Sequence, residues 1–593
     1  MNHLAHLRAE LATLGLDGIV VPRTDAHQSE VTAPRDDCLR WLTGFTGSAG
    51  MAVVTQERAV IFVDGRYQVQ VRHEVDPAEW SMGHLHDAPP QDWLRDHAAP
   101  GMRIGIDAMR VSVTQFRNLA AGCAGAGAEL TALETDPFDR IWPDRPAPPL
   151  GPVRSLPDAL TGEESTAKTT RIAATLRGKG ADFLAETQPD NIAWLLNIRG
   201  SDVPMNPVPH SFLILHADGR AEWFVDPSKP GSGAISGVTL AAPDAFLPRL
   251  AALAPGKTAL IDPDFAPAAV AQAITGAGGR LIESPDPVTL AKALKNPAEL
   301  QGFRDCHLAD GVAMVEFLAW LSEAAASGPV TELQAEARLH ACRAAQPGFH
   351  EDSFRTISAA GANAAMCHYA AAPGSTFAIG HDAPYLVDSG GQYDTGTTDI
   401  TRTMMFGPAT PELRRACTAV LRGFIGLISA RFPQGTTGHQ LDAFARRPLW
   451  DLGLDYDHGT GHGVGHNLLV HEYPHRFAKQ ANPHGLVPGT IMTVEPGFYR
   501  AGAFGIRIEN QVEVIADGPG FCRFASLTLV PIDLSLTDPA MLTPFETAWI
   551  DDYHRMVRER LETRVTARDW LRAATRPVAE IALSRYSAAL RGV

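Results

Sequence analysis

Five histidines fall within 18 residues of one glycine-rich stretch, HGTGHGVGHNLLVHEYPH: His458, His462, His466, His471 and His475, interleaved with Gly459, Gly461, Gly463 and Gly465. The glycines argue against a regular helix and let backbone approach a ligand closely while imidazoles point inward, although a surface loop of titrating histidines has the same composition. Upstream, PYLVDSGGQYDTGTTDITRTMMFG reads as two strands joined by a turn at Tyr393-Asp394-Thr395-Gly396. Asp388 is then late on the first strand and Asp399 early on the second, and their carboxylates can face each other across a hairpin. Aspartate is also common at strand ends for local reasons, so this pair needs company. Downstream, TIMTVEPGFY ends an apolar run at Glu495, and FGIRIENQVEV alternates so that Arg507 and Glu509 share one strand face. A half-exposed strand alternates in the same way, which on its own would leave Glu509 in solvent.

Together, two aspartates, two glutamates and a histidine suit two hard or borderline divalent metals bound close together. Four carboxylates at one point would repel and raise each other's pKa, whereas two dications carry +4 against their −4. Water bound between such ions loses a proton near neutral pH and can attack a carbonyl that the ions polarise. Other motifs fail on physical grounds. His471-Glu472-Tyr473-Pro474-His475 has the H-E-x-x-H spacing, but that motif needs both histidines on one helical turn, and Pro474 disfavours a helix there. Gly256-Lys257-Thr258 resembles the end of a phosphate loop, yet Ala251 stands where the first glycine is needed, and no G-x-S-x-G occurs.

These residues need a large scaffold, and 593 residues predict two to four domains. With 45% hydrophobic and 20% charged residues the chain reads as an ordinary globular protein. The absence of a long uninterrupted apolar run argues against a membrane span, and His3, His6, Arg8 and Glu10 replace the apolar run of a signal peptide, so a cytoplasmic location is expected. Seven scattered cysteines without a C-x-x-C pair argue against disulfides and zinc-thiolate sites. A formal net charge of −16, without clustered Lys and Arg, disfavours a nucleic-acid partner.

The N-terminal half reads as one pattern used twice. Leu4, Leu7, Leu11 and Leu14 at helical spacing stop at Gly15 before a strand at Gly18-Ile19-Val20-Val21. WLTGFTGSAG from Trp41 and apolar runs around Val53 and Ile61 follow, ending in Val63-Asp64-Gly65-Arg66. Near Thr166 the order starts again: a helix to Gly180, a strand at Phe183-Leu184, WLLNIRGSD from Trp194, and strands ending in Phe224-Val225-Asp226. Pro137, Pro143, Pro146, Pro148, Pro149, Pro152 and Pro157 mark a linker near residue 150. A second boundary falls at KNPAEL, after which Phe303, His307, Gly311, Met314, Val315 and Leu318 trace one face of a long helix. The expected domains are 1–150, 151–296 and 297–593, the last with a C-terminal extension from about 540, including TPFETAWIDDYH and a helical stretch to Val593.

In that order, DAHQSE, GFTGSAG, DGRY, WLLNIRGSDVPMNP, DSGGQYDTGTTDITRT, HGTGHGVG, EPGFY and GIRIEN resemble the Xaa-Pro aminopeptidases, the aminopeptidase P family, in their long three-domain form. The resemblance covers essentially the whole chain. It implies an α/β (α+β) architecture, with two related creatinase-like α/β domains followed by a pita-bread catalytic domain. It implies an enzyme that releases the N-terminal residue from peptides with proline second, by attack of a metal-bridging hydroxide. The implied metal ligands are Asp388, Asp399, His462, Glu495 and Glu509, with Asp399 and Glu509 bridging two divalent ions, manganese before cobalt, zinc or iron. His368 in CHYA matches the family's proton-shuttle histidine, His458 and His471 match histidines that contact substrate or the reaction intermediate, Arg507 matches an arginine behind the ligands, and Tyr499 fits the site wall. The family also implies a homodimer. Arg500, where an acidic residue is usual, and Met366-Cys367, usually aliphatic, depart from its pattern and bear on substrate preference.

Such chemistry suits proline, because an Xaa-Pro bond is a tertiary amide with a rigid ring on its leaving side. The departing nitrogen must be protonated as the bond breaks, so a general acid is needed beside the ions. A prolidase restricted to Xaa-Pro dipeptides would use the same catalytic domain, but about 295 residues of N-terminal domains fit the long aminopeptidase better. Non-catalytic pita-bread binding proteins usually lack metal ligands, and all five are present here.

Overall fold

The structure is a computed structural model that describes residues 2–233 and 235–581. The expected helical stretch to Val593 lies outside the described residues from 582 onward. The chain forms two compact units, Met1–Lys292 and Ala293–Val593.

In the first unit, the helix His3–Leu14 is capped by the Asn2 side chain and stops at Gly15, whose φ of 64° only glycine adopts without strain. Leu4, Leu7 and Leu11 are buried from one face of it. Its counterpart, Ser165–Lys179, stops the same way at Gly180, φ 78°. Each helix leads into the fourth strand of a six-stranded sheet. One sheet runs in the order Ser81–His84, Ala59–Val63, Gly50–Thr55, Gly18–Pro22, Arg103–Ile106, Glu129–Ala132. The other runs Val238–Ala241, Ala221–Phe224, Phe212–His216, Phe183–Glu186, Thr258–Ile261, Arg280–Glu283. Pairings across each sheet are parallel, antiparallel, antiparallel, parallel, parallel, so the duplication read from weak sequence similarity is a duplication of topology. The proline-rich segment is not wholly irregular: Phe138–Ile141 makes one helical turn, and Arg154–Ser155 pairs with Ile198–Arg199.

A buried acid pair marks the end of this unit. Asp286 accepts hydrogen bonds from the N–H groups of Val288 and Thr289 at the start of the helix Pro287–Ala293, and its carboxyl hydrogen-bonds that of Glu186, which requires a proton between them. Burial pushes Asp286 up to about 6. A carboxyl raised in the folded state contributes stability below its ordinary pKa and loses it as pH rises through the folded value. The opening free energy of amides in Phe183–Glu186, measured by native-state hydrogen exchange, should therefore fall between pH 4 and 7.5 by about 3 kcal/mol more in the wild type than in Asp286→Asn. Equal slopes would sink this assignment.

The second unit opens with the helix Pro297–Ser327, started by a capping box between Asn296 and Glu299 with proline at its first position. Its main core packs the helix Pro411–Ile428 on Gly438–Trp450 at Gly423, where a Cβ would lie 2.0 Å from the Ala445 carbonyl oxygen. An antiparallel sheet runs Arg431–Pro433, Phe521–Ser526, Asn510–Ala516, Ile491–Val494, Gly461–Gly463, Glu472–Phe477. A second holds Ile357–Ala360, Tyr385–Ser389 and Ile400–Met404, and a third holds Phe349–Asp352, Gly391–Tyr393 and Gly396–Thr397. The expected hairpin is thus shared between two sheets: Asp388 pairs with Thr401, while the tip pairs with Phe349–Asp352. Asp399 consequently sits in the bend before Ile400–Met404 rather than on the strand. Glu472–Phe477 is a strand, in keeping with the exclusion of a helical zinc motif. Among the described residues no helix is long and apolar enough to cross a membrane, and all seven cysteines are free and buried.

Candidate metal centre

Three of the four acidic residues singled out in the sequence occupy strand interruptions. Asp399 precedes Ile400–Met404, Glu495 follows Ile491–Val494, and Glu509 lies in the two-residue gap between Phe504–Arg507 and Asn510–Ala516. A strand break frees a residue from the ladder, so its side chain can be aimed independently of the pleat. Glu509 is 1% exposed, contrary to the half-exposed strand that alternation alone suggests, because both faces of these strands are covered. Asp388 stays within Tyr385–Ser389, and His462 is central in Gly461–Gly463.

Two glycines make the approach feasible. A Cβ at Gly390 would lie 1.8 Å from the Thr398 carbonyl oxygen, and one at Gly461 would lie 2.0 Å from that of Thr493. Glycine alone lets the Asp388 strand meet the Asp399 bend, and the His462 strand meet the Glu495 strand.

Ligand atoms of Asp399, His462 and Glu509 lie within 4.8 Å of one another. His462 Nε2 is 3.4 Å from Asp399 Oδ2 and 3.5 Å from Glu495 Oε1. Its Nδ1–H donates to the Gly463 carbonyl at 2.9 Å, which sets the tautomer and leaves the Nε2 lone pair facing the carboxylates. Asp388 gives Oδ2 to Arg507, at 2.5 Å from Nη2 and 3.1 Å from Nε. Asp388 Oδ1 and Asp399 Oδ1 are buried with no hydrogen-bond donor among the described residues. Burial, then the neighbouring carboxylates, pushes Asp399 and Glu509 well above the usual carboxylate range, and burial brings Glu495 up to about 7. Orphaned acceptors, crowded carboxylates and an imidazole nitrogen turned toward them fit divalent cations.

Arg507 anchors the wall. Besides Asp388 it donates from Nη1 to Tyr499 OH at 2.5 Å and from Nη2 to the Cys367 carbonyl at 3.3 Å. Tyr499 OH in turn donates to His458 Nε2 at 2.9 Å, while His458 Nδ1–H donates to the Gly459 carbonyl at 2.7 Å. His458 thereby sits beside Glu495, with 4.0 Å between Nδ1 and Oε2. His471 packs edge-on against the His462 ring, 4.3 Å between centroids. His368 follows the turn Gly361–Ala365, half-buried, next to the Cys367 carbonyl that Arg507 holds. That segment is clamped by buried Glu332, whose carboxylate accepts from the Ala360 and Phe377 N–H groups, Asn363 Nδ2 and Tyr369 OH. The other two clustered histidines lie in packing roles: His466 is edge-on to Phe303, and buried His475 donates to the Gly485 carbonyl.

Sequence reasoning passed over several supporting residues. Thr401 donates to Glu509 Oε2 at 2.7 Å and accepts from Arg507 Nε at 3.2 Å. Thr493 accepts from the His462 N–H at 3.0 Å and donates to Glu495 Oε1 at 3.3 Å. Gln511 accepts from the Asp399 N–H at 2.9 Å. Each lies two positions from an acidic residue of the cluster, on the strand that adjoins its break.

The chain is similar to known proteins over nearly its whole length. Residues 301–516 match the model for metallopeptidase family M24, and 520–578 match the C-terminal region of peptidase M24. Residues 3–138 and 144–299 each match a creatinase/prolidase N-terminal domain. A probable Xaa-Pro aminopeptidase P of Pyricularia oryzae is 37% identical, covering 94% of this chain and 95% of that protein. Aminopeptidase P1 of Arabidopsis thaliana is 36% identical over 97% of this chain and 99% of its own length. The crystal structure of X-prolyl aminopeptidase from Caenorhabditis elegans, described as a cytosolic enzyme with a di-nuclear active site, superposes with a TM-score of 0.92 at 33% identity, covering 97% of this chain and 99% of that one.

Proposed function

This chain belongs to the Xaa-Pro aminopeptidase P family of M24 metallopeptidases, and from that premise we propose how its residues perform the family's reaction. It is a metal-dependent aminopeptidase that hydrolyses the bond between an N-terminal residue and a following proline. The observation that carries the mechanism is the convergence of Asp399, His462 and Glu509, with Asp388 on an adjoining strand and Glu495 just past the end of another. These five would hold two divalent ions, Asp399 and Glu509 bridging them; the hard oxygen donors and single imidazole favour manganese. When bound, the ions supply Lewis acidity and a nucleophilic hydroxide near neutral pH.

The side chains do the rest. Arg507 holds Asp388 Oδ2 in place with two hydrogen bonds and, through Tyr499, orients His458. Because both nitrogens of His458 are engaged, it lines the wall and contacts substrate while His368 moves the proton to the leaving proline nitrogen. His471, against His462, borders the same side. Glu495, besides its place among the five, stands beside His458, with 4.0 Å between Oε2 and Nδ1, where it can take part in proton transfer. Tyr499 closes the substrate wall. The domains run 1–150, 151–296 and 297–593, a division supported by the repeated sheets and the spans of the family matches. By likeness to the cytosolic worm enzyme, the protein acts in the cytoplasm. A homodimer follows from the family.

A substrate panel with manganese tests the reading. Xaa-Pro-Yaa tripeptides and longer Xaa-Pro peptides should be cut after the first residue, and Xaa-Pro dipeptides should be poor. Matched Xaa-Ala peptides should be poorer too, since each methylene lost from the proline pocket costs about 1–3 kcal/mol. Cleavage of dipeptides alone would make this a prolidase, and no cleavage with metals bound would remove the catalytic reading.

A further inference from the structure

A buried guanidinium joins the C-terminal region to the metal centre. Arg402, 1% exposed, follows Thr401 on Ile400–Met404. Its Nη1 donates to the carbonyls of Glu509 at 2.7 Å and Thr401 at 2.9 Å, and its Nε to that of Pro531 at 2.8 Å. Its Nη2 donates to the Val530 carbonyl at 2.7 Å, Asn510 Oδ1 at 2.9 Å and Tyr553 OH at 3.1 Å. Every one of these six acceptors is uncharged, so the cation depends on a ring of dipoles in place of a carboxylate, with the two Nη2 hydrogens shared among three of them.

Tyr553 closes that ring. It lies on the helix Pro544–Leu561, buried, and its hydroxyl also accepts from Asn510 Nδ2 at 3.1 Å and donates to the Val530 carbonyl at 2.8 Å. The next residue, His554, accepts the Ile532 N–H at 3.1 Å, so the helix fixes both ends of the segment whose carbonyls Arg402 uses. Glu509 needs this support because it occupies a strand break: its carbonyl is taken by Arg402 and its Oε2 by Thr401, the residue before Arg402. Both ends of Glu509 are thus tied to the backbone that Arg402 locks.

We propose that Tyr553, through Arg402, is a positioning residue for Glu509, so that the C-terminal helix is a working part of the metal centre. The inference rests on Glu509 being a metal ligand. Partners behind metal ligands typically govern about 10–100-fold in affinity. Tyr553→Phe removes one hydroxyl and keeps the ring. Manganese titrated into the metal-free variant, followed by calorimetry, should bind at least about tenfold more weakly than to wild type, and peptidase activity should recover at saturating manganese. Val557→Ala, a cavity on the same helix away from Arg402, should lower the thermal midpoint but keep wild-type affinity. Arg402→Lys, which keeps the charge but loses the fork, gives a second route to the same readout and should weaken binding further.

Wild-type affinity in Tyr553→Phe overturns the proposal. So does an equal loss of affinity in Val557→Ala, which would make the helix a general prop. If Glu509→Gln binds manganese as wild type does, the ligand assignment itself fails, an outcome separate from either of these.

Discussion

Asp399→Asn and Glu509→Gln are expected to lose bound metal and to reduce turnover on the order of 10³-fold or more, beyond the roughly 10–100-fold typical of residues behind the ligands. Both are nearly isosteric, so packing is kept while charge is removed. In Glu509→Gln the Thr401 hydroxyl still finds an oxygen, and in Asp399→Asn the backbone N–H still meets Gln511 Oε1, so a folded protein should result. Dialysis of wild type against a strong chelator should reproduce the loss, and manganese should restore it in wild type but not in the variants. Metal content by elemental analysis, beside kcat, checks this. A variant retaining both wild-type metal content and rate would show that its residue is no bridge, and full activity in metal-free wild type would defeat the mechanism.

His368→Ala should behave differently, keeping its metals while kcat falls by about 10²–10⁴-fold, the range of general acid–base catalysis. The segment around His368 is held from outside the side chain, by Glu332 beneath it and by Arg507 at the Cys367 carbonyl, so removing the imidazole should not release it. Because protonation of the leaving nitrogen is the step affected, a peptide with a better leaving group should suffer less. Loss of metal along with activity would move His368 among the ligands instead.

Residues differ in how far their immediate sequence reports their place. Helix limits were local matters: Gly15 and Gly180 end their helices because αL backbone at a C-terminus suits glycine, and Asn296 with Glu299 starts the long helix through its own side-chain hydrogen bonds. The duplicated unit was legible from the order of its elements, but its strand order was not, since pairing between distant strands leaves no local mark. His466 and His475 look like their neighbours in composition and pack elsewhere. Nothing in the spacing separates them from His462, whose strand alone lies against Glu495.

By itself, then, the sequence determined which side chains were on hand and at what period. It supplied acidic residues and a histidine in number and kind for two cations, glycines at Gly390 and Gly461 where backbones must touch, and threonines two residues from their acids. The tertiary structure decided burial and convergence. Alternation around Glu509 is the same for a wet strand and a dry one, and only the covering of both faces made it 1% exposed. The hairpin of Asp388 and Asp399 is divided between two sheets, and the Asp399 bend, like the Glu509 gap, arises where a chain leaves one sheet for another. Tyr553 illustrates the limit most clearly: nothing near it in sequence refers to Glu509, and the two are joined through Arg402 and Asn510, which only the fold brings to its hydroxyl.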